Sequence, residues 1–338
     1  QYTEPLNVRH FLKIRIDFQN QKSTEQIYQN RLKNTYEDST LNYSFKNLEE
    51  SRKTTLTYNY NTPKFNLFFG TEVQQLTRII NLYKKRINKS NDLYWNPKFS
   101  IRYKPQKGSN YFLNYRKLIK SPRNNQISPI VDDLNPFYIR QGNPQLEIER
   151  IDNVDLNLTH HNFRSGLSLF SKLNYRHIDD AVIPSLLIND TFVRTRSYTN
   201  YGDQDRLNGL FNISNKWKSQ PLRYGMNSSY NYSASSAIIE NIVNDISSHS
   251  FMLGAYLDNS KKNKIDAKIG LNYTKTRTEF SIDDGLNRNY GKQQYYFKFD
   301  YDVTQRFNFS TQFDYFHYSD SDFQTNYNTP IWNSSISY

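Results

Sequence analysis

Cysteine is absent from the 338 residues, which removes disulfides, zinc–thiolate centres and thiol nucleophiles and suits a chain that must cross an oxidising compartment. Long apolar runs are missing as well. Hydrophobic residues make up 36% of the chain and mean hydropathy is -0.86, and no run approaches the roughly 20 residues that a helix needs to cross a bilayer. A helical membrane protein is thereby excluded. Acidic side chains are the minority, 32 against 44 basic, for a formal charge of +12. What the chain has in excess is aromatic: 28 Tyr, 22 Phe and 3 Trp, 16% of all residues. Unfolded polar chains carry far fewer, so disorder is excluded and these rings must be buried or face lipid. The sequence starts at Gln1 without an initiator methionine or a charged and apolar leader, and the expectation is a processed product or a fragment.

Helical spacing of apolar residues is nowhere sustained, whereas strict alternation recurs from end to end, the period-two mark of strands with two different faces. Ile265, Ala267, Ile269, Leu271 and Tyr273 alternate with Asp266, Lys268, Gly270, Asn272 and Thr274. Tyr295, Phe297, Phe299, Tyr301 and Val303 do so with Tyr296, Lys298, Asp300 and Asp302, and Leu12, Ile14, Ile16 and Phe18 with Lys13, Arg15 and Asp17. The connections fall into two alternating kinds. Short turns are expected near Asn61 to Lys64, Pro105 to Asn110, His161 to Ser165, Lys218 to Pro221, Asp258 to Asn263 and Thr304 to Arg306. Long loops are expected near Gln21 to Tyr43, Asn81 to Tyr94, Leu118 to Glu147, Pro184 to Asp190, Ser235 to Ser247, Ile282 to Asn289 and Ser319 to Asn328. About fourteen antiparallel strands with loops sorted between two rims form the pattern of a transmembrane β-barrel, because a soluble sandwich has no reason to sort its loops. Aromatic residues follow the short turns (Tyr60, Tyr103, Tyr111, Trp217, Tyr224, Tyr301, Phe307), where amphipathic rings favour the headgroup boundary.

Several constellations have a plain reading. His160, His161 and His177 with Asp179 and Asp180 match no metal-ligand spacing, so no metal and no cofactor is expected. The carboxylate pairs Asp132/Asp133 and Glu147/Glu149 lack a matching base, nucleophile or phosphate loop and read as solvated loop charges, so the chain is expected not to be an enzyme. Glycosylation triplets beginning at Asn157, Asn212, Asn231, Asn272 and Asn308 have apolar centres between polar residues, as by-products of alternating strands. A nucleic-acid surface is not expected either, because the positive charge is dispersed. It gathers at the short turns (Lys64, Lys104, Lys107, Lys216, Lys218, Lys261, Lys262, Lys264, Arg306) or alternates with acids on the polar strand face. On that face Lys13, Arg15, Arg102, Arg116, Lys172, Arg176, Lys268, Lys298, Asp300 and Asp314 are expected to line a lumen, water-filled or plugged.

The segment Asn135-Pro136-Phe137-Tyr138-Ile139-Arg140-Gln141-Gly142-Asn143-Pro144-Gln145-Leu146, with Glu149 soon after, resembles the loop-to-strand motif of TonB-dependent receptors. Tyr2-Thr3-Glu4-Pro5-Leu6 and the stretch from Pro330 to Ser337 are similar to the subgroup of outer-membrane β-barrel family proteins. Ile148 stands where that motif has proline before Glu149. The resemblance implies a 22-strand barrel of a Gram-negative outer membrane, a plug domain inside it and an energy-transducing periplasmic partner. Residues 1–338 would then be a single barrel segment, incomplete at both ends. The leading expectation is an importer of unknown ligand, with outer-membrane lipoproteins or assembly proteins as further partners. Arg123, Tyr138 and Arg140 in the longest loop are the candidate ligand contacts, since arginine and tyrosine are favoured at binding hot spots; packing of that loop on the rim is the alternative. A passive porin-like channel and a structural barrel subunit of a larger assembly are the competing functions.

Loop sorting generates a test. With single cysteines at Asn125 and at Lys107, an impermeant thiol reagent on intact cells should label the first and spare the second, since long loops of such barrels face outward. Labelling at Lys107 alone would invert the orientation.

Overall fold

A computed structural model describes residues 1–28, 42–259, 264–304, 306–320 and 325–338. Its strands in chain order are β1 (Tyr2–Pro5), β2 (His10–Tyr28), β3 (Asn42–Asn61), β4 (Phe65–Leu82), β5 (Lys85–Tyr103), β6 (Ser109–Lys120), β7 (Val131–Asn135), β8 (Tyr138–Gln141), β9 (Glu149–His161) and β10 (Ser168–Asp179), followed by β11 (Val182–Ile188), β12 (Arg194–Asn200), β13 (Gln204–Lys216), β14 (Leu222–Ile239), β15 (Ile242–Asn259), β16 (Ile265–Phe280), β17 (Arg288–Thr304), β18 (Phe307–Asp320) and β19 (Thr325–Ser337). The one α-helix among the described residues, α1 (Asn124–Ile127), is a single turn. No described helix is long and apolar enough to cross a membrane.

Fourteen of these strands, β2 to β6, β9, β10 and β13 to β19, form one antiparallel meander in which each pairs with its predecessor. The number matches the sequence expectation. β1 extends the edge by pairing with β2, and β7, β8, β11 and β12 belong to two long connections. The expected short turns fall where the strands end, at 62–64, 104–108, 162–167 and 217–221. The tip at 260–263 with Lys261 and Lys262, residue 305, and the middles of two expected long loops at 29–41 and 321–324 lie outside the described residues.

Three expected loops are instead strand. β4 and β5 continue past the apolar band and close on the two-residue turn Tyr83-Lys84, and β14 and β15 close on Glu240-Asn241; all four residues have positive φ (49°, 66°, 52° and 65°). That is the mirror-image turn that matches strand twist. Beyond the apolar band polar and apolar residues are no longer sorted between the faces, with Ile79 next to Ile80 and Ile238 next to Ile239, so alternation fades while backbone pairing persists. Pro184 to Asp190 is the third case: it is mostly β11, in a hairpin with β12 that turns at Asn189–Val193.

Register carries the alternation across the whole sheet. Lys13 pairs with Thr57, Thr57 with Gly70, Gly70 with Lys98, Lys98 with Arg116, Arg116 with Asn153, and Asn153 with Arg176. Further along, Asp258 faces Lys268 and Lys268 faces Lys298. Opposite partners share a face, so all ten residues expected to line the lumen lie on one side. The other side holds the large apolar residues, many of them open in the protein alone, such as Ile269 at 57%, Phe18 at 75% and Trp332 at 75%. Solvent exposure of such a continuous belt is what a lipid-facing surface requires. Rings near the short turns sit on this side and touch, Trp217 on Tyr224 edge-on at 6.2 Å and Tyr103 near Tyr111 at 6.2 Å.

Packing on the polar side explains one glycine. A Cβ on Gly270 would lie 2.4 Å from the Tyr296 hydroxyl, so glycine lets the ring lie flat across the neighbouring strand. The Lys268 ammonium then sits 4.3 Å over the Tyr256 ring and 5.7 Å from that of Tyr296. The two faces should respond differently to substitution. Ile269→Arg puts a charge into lipid about 10 Å from the short-turn rim, close to the midplane, and should cost about 2–4 kcal/mol in a refolding titration. Lys268→Gln loses only the cation–π contact, about 0.5–1 kcal/mol. Equal losses would show the faces to be wrongly assigned.

Candidate functional site

The two long connections fold together at the long-loop rim. The first, between β6 and β9, begins with α1, whose Asn124 amide donates to Ser23 Oγ and whose Oδ1 accepts from Asn47 Nδ2 at 3.2 Å. Ser23 and Asn47 are register partners on the polar face, so the loop turns in over the sheet. A small apolar core seals it there: Ile127, Ile130 and Leu146 of the loop pack with Phe45 and Ile80 of β3 and β4, all buried, with Leu82, Ile87, Val182 and Tyr198 around them. Burying a large aliphatic side chain is worth about 1.5–3 kcal/mol, enough to hold a loop of this length.

The Gly142-Asn143-Pro144 stretch is the hinge of this arrangement. Gly142 N–H donates to the Ser128 carbonyl at 2.8 Å and Asn143 N–H to that of Gln126 at 2.6 Å. A Cβ on Gly142 would lie 2.4 Å from the Ser128 oxygen and 2.7 Å from that of Gln126. Only glycine lets the backbones come this close. Asn143 Nδ2 reaches the Tyr198 carbonyl at 3.1 Å, Asn88 Nδ2 the Pro144 carbonyl at 2.6 Å, and the Arg78 guanidinium the Leu146 carbonyl. Arg78 is 3% exposed and lies in register opposite Glu49, which accepts from Ser121 Oγ at 3.0 Å. Glu149, 4% exposed, takes the Lys120 ammonium and the Val182 N–H at 3.0 Å. The motif therefore ties the first long connection to the wall and to the second.

The second connection is the β11–β12 hairpin. β12 pairs in parallel with β8, Arg194 to Tyr138, Thr195 to Ile139 and Arg196 to Arg140, and β11 pairs in parallel with the end of β14. β7, β8, β12 and β11 thus make a small sheet continuous with the wall. Tyr138 and Arg140 sit on it side by side, the Arg140 guanidinium 5.4 Å from the Tyr138 ring. Arg196 stands beside the Tyr138 side chain, which holds its pKa above the ordinary arginine value, and stacks at 5.3 Å on Tyr198. Arg123 is apart from this group by topology: it caps α1, exposed, with its N–H donating to Gln126 Oε1 at 2.8 Å. Two of the three loop residues expected at a ligand are therefore brought together. Arg194 and Arg196 join them through a parallel pairing that leaves no mark in the sequence.

Below this assembly, the polar face carries mixed charge. Lys98 pairs with Glu72 at 2.5 Å, Arg223 Nε with Asp258 at 3.0 Å, and Lys298 with Asp300 at 3.3 Å; Asp314 accepts from Gln294 at 2.8 Å and Gln312 at 2.7 Å. Lys13, Arg15, Asp17, Lys53, Glu72 and Lys98 border a trough of about 640 Å³.

A two-faced antiparallel meander with a lipid-facing aromatic and aliphatic belt and a charged inner face defines a transmembrane β-barrel protein. The chain belongs to the outer membrane protein beta-barrel family, whose model matches residues 1–291, and its place is the bacterial outer membrane. Among solved structures, the FrpB iron transporter from Neisseria meningitidis (F3-3 variant) is similar with 12% identity and a TM-score of 0.58, over 99% of this chain and 53% of that one. The copper transporter OprC gives 8% and 0.46, over 98% and 63%, and the outer membrane channel DcaP of Acinetobacter baumannii 9% and 0.42, over 97% of both. At such identities the likeness is one of fold, and the chain spans about half the length of FrpB. No curated protein matches the chain.

Gly142→Ala should release the loop while leaving the wall folded. Relieving a backbone clash of this size costs about 1–3 kcal/mol, so protease cleavage within residues 121–148 should speed up roughly tenfold, while the heat-dependent gel mobility of the folded barrel stays as in the wild type. Unchanged cleavage would show that the hinge does not hold the loop.

Proposed function

We propose that this chain is part of the wall of an energised, TonB-dependent importer, a 22-strand barrel that takes up a ligand too large or too scarce for passive diffusion. The observation that carries the reading is the inward fold of the two long connections, sealed on the polar face by Leu146, Phe45 and Ile80 and zipped by the β8–β12 pairing. A passive pore works with its mouth free. Here the mouth carries a cap docked on the inner face of β3 and β4, an element that can move when a ligand binds, which suits triggered uptake. The fold likeness to the FrpB iron transporter and the receptor-like motif from Asn135 to Glu149 support the same reading.

In this mechanism Tyr138, Arg140, Arg194 and Arg196 meet the ligand first, with Arg123 at the edge of the cap. A plug domain occupies the lumen against Lys13, Arg15, Arg102, Arg116, Lys172, Arg176, Lys268, Lys298, Asp300 and Asp314, where paired charges can exchange partners with it. A wide barrel would otherwise conduct, and an energy-transducing periplasmic protein opens it. The substrate follows from loop chemistry only as far as an anionic or hydrogen-bonding solute, through the arginine and tyrosine side chains.

Expressing and deletion strains fed a complex metabolite mixture test this, with mass spectrometry of what leaves the medium. A protonophore should stop depletion and spare surface binding, and the complete purified protein should carry no steady current in planar bilayers. Depletion that ignores the protonophore, or steady conductance, would replace this reading with a porin.

A further inference from the structure

The geometry points to a binding site for a phosphorylated glycolipid of the outer leaflet on the lipid-facing side of β15 to β18, with Lys275 and Arg277 on its phosphate and an apolar groove below them for an acyl chain. The outward row of β16 runs Ile265, Ala267, Ile269, Leu271, Tyr273, and the two cations continue it. Ten residues above the start of β16, Lys275 stands about 25 Å from the short-turn rim on a strand tilted near 40°. That is the height of the hydrocarbon band. With the long-loop rim facing outward, the ammonium lies at the outer headgroup level and Arg277 just above it.

Charge is unbalanced there. At comparable height on β6 to β13, outward cations are matched by acids: Lys117 is 3.1 Å from Asp152, Arg150 2.5 Å from Asp180, and His177 2.9 Å from Asp205. Lys275 is exposed and has no carboxylate partner among the described residues. Arg277 pairs with Glu279 of its own strand, yet its side chain stays 64% exposed. In register, Lys275 lies between Phe251 and Gly291, and Arg277 lies opposite His249. Gly291 puts no side chain beside the ammonium, and His249 Nδ1 is 2.8 Å from the Tyr230 hydroxyl. A net positive, hydrogen-bonding surface at this level attracts a phosphate, and a guanidinium can take two of its oxygens.

A feature independent of charge lies directly beneath. Ala255, Leu257, Ile269, Leu271, Tyr295 and Phe297 border an outward groove of about 470 Å³. The hollow opens at Ala255, the small residue of an outward row in which Leu253 and Leu257 flank it. Leu271 is four residues below Lys275, about 10 Å lower, and the exposed rings of Tyr273 and Phe251 span the interval. Any apolar face is wetted by lipid tails. A recess under uncompensated cations favours one tail whose head is fixed above it. Free phosphate has no use for the groove, and a zwitterionic head carries its own ammonium and is neutral overall. The outer leaflet of a bacterial outer membrane supplies the remaining combination as its phosphorylated glycolipid.

Native mass spectrometry of the complete, folded protein in detergent with added lipid A tests the assignment. The wild type should retain one lipid A per chain, and Lys275→Gln with Arg277→Gln should weaken retention about 30-fold. Lys275→Arg should retain it as the wild type does. Ala255→Phe, which fills the groove and leaves both cations in place, should weaken it several-fold. Neither inorganic phosphate nor phosphatidylglycerol at equal concentration should displace the lipid. Equal retention by the wild type and the double glutamine variant, with both shown to be folded by heat-dependent gel mobility, would overturn the site. Displacement by inorganic phosphate would overturn the role of the groove, and displacement by phosphatidylglycerol the choice of a glycolipid. No readout involves uptake, so the outcome is independent of the importer mechanism.

Discussion

Every backbone N–H and C=O that enters hydrocarbon must be paired within the protein, since no water is there to take its place. The rest of this structure depends on that constraint. It forces fourteen strands into long ladders, the most regular between β3 and β4, paired from Phe45 with Leu82 to Asn61 with Asn66 without interruption. Once ladders are continuous, register is shared across the sheet, and a one-residue slip would turn every apolar side chain inward. Hence Lys13 and Arg176, far apart in sequence, lie on one side.

Above the apolar band the constraint relaxes, and the chain uses the freedom. Parallel pairs of two or three residues join β8 to β12 and β11 to β14, and side chains take over the backbone's work. Asn143, Asn88 and Arg78 cap carbonyls, while the nearly buried Glu149 carboxylate is balanced by Lys120 and the Val182 N–H. A buried carboxylate without such partners would be costly. The glycine, asparagine and glutamate of the receptor-like motif thus have structural work in the cap, apart from any contact with a ligand.

Much of the wall was legible because lipid imposes a strict period of two. Strand number, face assignment and the short turns at 62–64 and 217–221 followed from it. Where β4, β5, β14 and β15 leave the bilayer, polar and apolar residues are no longer sorted between the faces and the signal ends before the strand does. The turns there, Tyr83-Lys84 and Glu240-Asn241, lack the glycine that usually marks positive φ. The cap was less legible for a different reason. Arg140 meets Arg196, and Leu146 meets Phe45, only through folding of the loops over the sheet. His177 alternates as an ordinary strand residue beside Asp179, whereas Asp203 and Asp205 reach within 4.0 Å and 2.9 Å of its ring only through the hairpin's closure and the pairing of β10 with β13.

Wall and cap also differ in how they can move. Each interior wall strand is held by ladders on both sides, so displacing one exposes unpaired backbone to lipid at several kcal/mol per group. The cap is held by five buried apolar side chains and a handful of hydrogen bonds, and its backbone finds water when it lifts. Local opening follows the cheaper route. A ligand that engages Tyr138, Arg140 and Arg196 better in the lifted than in the docked cap shifts that equilibrium by its difference in affinity, and only by that difference. Because Leu146 and Ile127 rest directly on Phe45 and Ile80 of the inner wall, the same movement uncovers the polar face on which a plug would have to respond. In the importer we propose, binding outside and change inside would be coupled through this one small core, with the wall itself unaltered.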